Sequence, residues 1–82
     1  MLNNAEYKIE YEVDKETAQV TATIPELNHL SSFGDSFAEA ESNVREAALG
    51  YFEVLTKEQH EIPKPAFHTE GTYLKIFIPK IA

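Results

Sequence analysis

Four acids crowd one short stretch, Glu6, Glu10, Glu12 and Asp14 within "EYKIEYEVD". Carboxylates are the groups that hold the metal pair in phosphoryl-transfer chemistry, provided they converge from several elements on ions about 4 Å apart. These acids do not have that spacing. Two apart on one strand, they line up in a row, and the sequence offers no obvious converging partner. The row suits either a solvated outer face that resists aggregation or a face for a basic partner. His29, His60 and His68 have no metal-ligand spacing and no cysteine to assist them. They read as surface histidines, with His29 also able to donate or accept at an interface. Ser31, Ser32, Ser36 and Ser42 form no nucleophile–base couple with a histidine. The expectation is a protein that is not an enzyme, with no catalytic residues, no cofactor and no metal.

Charge points the same way. Fourteen acids against seven bases give a net charge of −7. Such a surface repels phosphate backbones, which argues against direct nucleic-acid binding by this chain alone. It attracts a basic protein and speeds encounter with it, although solubility alone would also explain it. The 82 residues suffice for one domain, 1–82, and leave little room for a deep catalytic cleft. There is no cysteine, which fits a reducing compartment. The start "MLNNAEYK" lacks the layout of a signal peptide, and no apolar run nears the roughly 20 residues of a membrane span. The chain is expected to be soluble and cytoplasmic.

The elements that must position these residues are legible from periodicity. Glu6 to Val13 alternates, with Tyr7, Ile9, Tyr11 and Val13 on one side and the charged residues on the other, which predicts a half-buried strand. After the break Asp14–Glu16, Thr17 to Ile24 alternates again, placing Ala18, Val20, Ala22 and Ile24 on the core side of an antiparallel hairpin. Pro25 ends the pairing. Ser36 and Glu39 have capping-box spacing. Phe37, Ala40, Val44, Ala48, Tyr51 and Leu55, with Ala47 and Phe52, then form the stripe of a helix lying on a sheet and fading near His60 before "IPKP". Gly50 beside the stripe suggests close approach of a neighbour. Residues 62–71 form a stiff connection. Tyr73 to Ile78 is a last strand, ended by Pro79, with Leu74, Ile76 and Ile78 against Tyr73, Lys75 and Phe77.

A sheet on one helix needs a third strand beside the hairpin, and "LNHLSSF" is available for it. Leu27, Leu30 and Phe33 are expected to close the rim of the core, and Gly34 to make the tight turn into the helix. The order is β-β-β-α-β, an α+β two-layer sandwich of an antiparallel hairpin plus further strands packed on one long helix.

Across Tyr7 to Leu55 the chain resembles the HicB-like antitoxin family. The resemblance rests on Ile24-Pro25-Glu26-Leu27, Gly34-Asp35-Ser36, Glu39-Ala40 and Asn43-Val44-Arg45-Glu46-Ala47, completed by a Tyr/Leu-rich helix end and the downstream Ile-Pro-Lys-Pro run. It implies a truncated ribonuclease-H-like fold that is not a nuclease. It also implies an antitoxin that binds and masks HicA, a small basic ribonuclease that cuts messenger RNA. Many relatives carry a C-terminal DNA-binding segment. This sequence stops at Ala82 after the last strand, so DNA binding by this chain alone is not expected. Asn28-His29 replaces the usual proline-glycine, which puts the family's partner preference in doubt for that loop.

Two surfaces follow as candidates. The acidic row Glu6, Glu10 and Glu12, with the loop residues Glu26, Asn28 and His29, is the candidate contact for a HicA-like toxin, inferred from charge and exposure rather than carried over from the family. Tyr73 and Phe77, with Lys75 between them, alternate away from the core and are the candidate surface for self-association into a dimer or larger homo-oligomer, unless a loop folds back over them through Phe67. The competing readings are an orphan homo-oligomeric structural or ligand-binding domain with no toxin partner, and a residual metal-dependent nuclease.

Overall fold

In the computed structural model, which describes residues 3–66 and 70–78, the first strand starts earlier than its charged segment. β1 runs Asn3–Val13, β2 Val20–Ile24, β3 Leu30–Gly34 and β4 Thr72–Ile78, with one helix, α1, at Phe37–Lys57. The four strands form an antiparallel sheet in the order β3-β2-β1-β4, and α1 packs on one face. This is the expected α+β sandwich. Pro79 and Phe67 lie outside the described residues. Among the described residues no helix is long and apolar enough to cross a membrane.

β1 is used twice. Its first half, Asn3 to Ile9, pairs with β4, and its second half, Glu10 to Val13, pairs with β2. The sheet is therefore staggered, with β4 beside one end of β1 and the β2–β3 hairpin beside the other. The inner face and the helix stripe bury Ala5, Tyr7, Ile9, Val20, Ala22, Ile24, Leu74 and Ile76 against Ala40, Val44, Ala48 and Phe52. Each large side chain removed from water here contributes roughly 1.5–3 kcal/mol. Strict spacing by four along α1 keeps the buried ridge narrow. Phe37, expected in the stripe, is more than half exposed, and Tyr51 and Leu55 are half-buried.

Two further strand boundaries differ from the sequence expectation, each for a local reason. β2 begins at Val20, not Thr17, because the Asp14 carboxylate accepts from the amides of Glu16 and Thr17 and winds residues 14–19 into a turn. Ala18, expected in the core, is exposed there with φ 63°. β3 begins at Leu30, because Pro25–Leu27 forms a 3-10 turn closed by Asn28 and His29, both left-handed at φ 59° and 57°. Residues two apart share a strand face, so Leu30, Ser32 and Gly34 turn inward and Phe33 turns out, 57% exposed. Leu27 does close the core and is fully buried, but Phe33 does not.

The helix is capped as expected at its start. Ser36 Oγ accepts from the Glu39 amide, while Glu39 Oε1 accepts from the amide of Asp35, one residue earlier than the standard reciprocal bond. At the far end the helix stops at Lys57, before the prolines are reached. Gln59 adopts φ 60°, His60 N–H donates to Leu55 O and Gln59 N–H to Thr56 O, the paired bonds of a Schellman cap. Of the two glycines singled out in the sequence, Gly34 is sterically required at the turn into the helix and Gly50 has no close neighbour. A Cβ on Gly34 would lie 2.7 Å from the Ala40 nitrogen, so Gly34 serves close strand–helix approach. A Cβ on Gly50 would meet nothing within 4 Å.

Candidate functional site

The loop between β2 and β3 is built from the inside out. Leu27 plugs the core, and Asn28 and His29 both donate their amides to Pro25 O and leave their side chains exposed. Glu26 behaves differently from its two neighbours in the candidate set. It is half-buried, and its Oε2 accepts from the Ala66 amide at 2.5 Å. Nearby, the Tyr7 hydroxyl donates to Pro63 O at 2.6 Å, and Ile62 packs against the core. Burial, and secondarily the charge of Glu26, push the Tyr7 hydroxyl pKa above its usual value, which keeps it a proton donor. Together Tyr7 and Glu26 strap the "IPKPA" segment onto the sheet. The loop is apolar at intervals because it closes the core and carries this strap.

The open face of the sheet carries the acidic row. Glu6, Glu10 and Glu12 all lie on it, exposed. Asp14 does not, being the capping residue of the β1–β2 turn, and the amides of Thr17 and Glu16 hold its carboxyl below the usual range. The stagger of β1 divides the row. Glu6 sits opposite Lys75 of β4, with Lys75 Nζ 3.9 Å from its Oε1. Glu10 and Glu12 sit opposite Thr23 and Thr21 of β2, which in turn face Ser31 and Phe33 of β3. Among the described residues no group of three or more His, Asp or Glu side chains is placed to hold a metal.

β4 presents the other candidate surface. Phe77 is 56% exposed, Lys75 is exposed and Tyr73 is half-buried, all on the open face and opposite Asn4, Glu6 and Lys8 respectively. A groove of about 320 Å³ runs along this edge between β4 and α1, lined by Arg45, Leu49, Lys75, Ile76 and Phe77. On the helix side of the sheet, Phe37 meets the Tyr11 ring edge-on at 5.2 Å. Burial, with Glu41 adding to it and Arg45 opposing it, raises the Tyr11 pKa.

Of the histidines, His29 lies in the left-handed turn and His60 is exposed at the helix end, 4.0 Å from Glu58. His68 falls outside the described residues. Ser36 is a cap, Ser31 and Ser42 are exposed, and Ser32 faces inward half-buried. Sequence reasoning missed Phe33 as a surface residue. The signal was available in the parity of "LSSF", since Leu30 and Phe33 are three apart and cannot share a strand face.

A four-stranded antiparallel sheet with one helix on a single face is a small α+β two-layer fold. The same fold occurs in the crystal structure of the N-terminal domain of Burkholderia pseudomallei antitoxin HicB. That structure superposes with a TM-score of 0.69 at 18% identity, covering 87% of this chain and 94% of the other. No protein-family model and no curated protein matches the chain.

Proposed function

We propose that this chain is an antitoxin-like binding protein, a single HicB-like domain spanning 1–82, that neutralises a small basic HicA-type messenger-RNA ribonuclease by masking it. The observation that carries this reading is the shared fold with an antitoxin domain, covering nearly all of that domain. The net charge of −7 supports it, as do Glu10 and Glu12 standing exposed on a face the helix leaves open. The chain works without catalysis of its own, without cofactor or metal, in the cytoplasm, and without binding DNA by itself. Its contacts are the acids of β1, with Glu10 and Glu12 foremost and Glu6 partly engaged by Lys75, and the exposed tip Asn28-His29. Glu26 supports that tip from behind through Ala66.

The test is growth rescue. Co-expression with a HicA-type toxin should restore growth of arrested cells, and Glu10→Lys with Glu12→Lys should abolish the rescue while leaving the protein folded. Full rescue by the double variant would remove those acids from the interface. One observation favours a second reading, a homo-oligomer with no toxin. Tyr73, Lys75 and Phe77 on an edge strand, with the groove beside them, form a surface suited to a second copy. The two readings are compatible if β4 serves self-association and the far half of the sheet serves the toxin.

A further inference from the structure

Phe33 is the largest apolar side chain on the β2–β3 half of the open face, and 57% of it is exposed. Its cross-strand row is Phe33, Thr21, Glu12, and the adjacent row is Ser31, Thr23, Glu10. Among the described residues this half of the face carries acids and no base, whereas the β4 half carries Lys8 and Lys75 against Glu6. An exposed aromatic flanked by threonines and bordered by unpaired-sign carboxylates has the composition of an interface core with a charged rim. Isolated exposed apolar residues are ordinary. Here the aromatic and the charge asymmetry share one patch of neighbouring strands.

We infer that this patch, Phe33 with Thr21, Thr23, Ser31, Glu10 and Glu12, is the docking face for the basic toxin surface, with Phe33 as its apolar anchor. The inference rests on the antitoxin reading and names the part of the molecule that performs it. Charge selects the occupant. A second copy related by two-fold symmetry would bring Glu10 and Glu12 against the same acids, a like-charge contact. A nucleic acid would meet the same carboxylates with its phosphates. A cationic protein surface satisfies both acids and covers the phenyl ring, excluding water from the charge pairs, the arrangement in which aromatic anchors become hot spots.

The experiment measures affinity for a purified HicA-type ribonuclease. Phe33→Ala should weaken binding by about thirtyfold, equivalent to about 2 kcal/mol, with thermal stability unchanged because the side chain is mostly exposed. Phe77→Ala should stay within about twofold of the parent, since that residue lies on the other half. Thr21→Arg, which places bulk and positive charge in the middle of the row, should block binding independently and decides the matter if Phe33→Ala is unstable. Tight binding by the parent with Phe33→Ala and Thr21→Arg unaffected overturns the docking face and leaves the antitoxin reading standing. No binding by the parent chain overturns the antitoxin reading, and the docking face with it.

Discussion

Asp14 decides where a strand begins. Its carboxylate takes the amides of Glu16 and Thr17, at 2.8 and 3.1 Å, and so removes residues 17–19 from the ladder that their alternation would otherwise join. Those bonds lower its pKa below 3.8. A group whose folded pKa is depressed adds stability that is complete above the unfolded value and is lost as the pH falls through the folded one. Asp14→Asn keeps an acceptor oxygen without the charge. The variant should melt below the parent near neutral pH, with the gap closing as the pH falls through the lowered range in which the Asp14 carboxylate takes up its proton; a gap independent of pH in thermal melts would contradict this. At this scale the sequence was partly readable. The Ser36 cap followed from residue type and spacing, whereas the left-handed turn at Asn28-His29 stands where the third strand was expected to begin. The turn at Asp14 was hidden by a competing alternation in "TAQVTATI", and the inward orientation of Glu26 was hidden because its partner, Ala66, is forty positions away.

The elements were predicted in number, type and order because their periods are clean, while their ends depended on caps. α1 stops at the Schellman cap of Gln59 even though the prolines are still ahead. Gly34, ahead of the helix, and Gly50, within it, make opposite predictions. Gly34→Ala drives a methyl into backbone at 2.7 Å and into Glu39 Cβ at 2.8 Å, and should destabilise by about 1–3 kcal/mol. Gly50→Ala meets open space on a helix and should stabilise by up to about 1 kcal/mol. Chemical denaturation of both variants checks the pair, and a destabilised Gly50→Ala would show that something packs on that face. Asn43 adds a detail that periodicity does not reveal. Its side-chain amide donates to Phe33 O at 2.8 Å and ties the edge strand β3 to the helix.

For the whole molecule the governing feature is the double use of β1, which no one-dimensional pattern could show. Pairing β4 with residues 3–9 and β2 with residues 10–13 places the aromatic edge of β4 and the acidic half of the sheet at opposite ends. The site was therefore legible as a list of exposed residues, but the grouping of Glu10 and Glu12 with Phe33, and of Glu6 with Lys75, was not. The separation allows self-association and partner binding to be tested independently. Tyr73→Ser with Phe77→Ser should shift sedimentation towards the monomer without reducing toxin affinity, and unchanged sedimentation would remove β4 as the assembly surface. The most direct measurement is inhibition of a HicA-type ribonuclease by the purified chain, followed as messenger-RNA cleavage against increasing amounts of the chain. Cleavage should be lost stoichiometrically, with the inhibition weakening at high salt, as expected of an interface steered by charge. Cleavage unaffected at a large molar excess of the chain would contradict it.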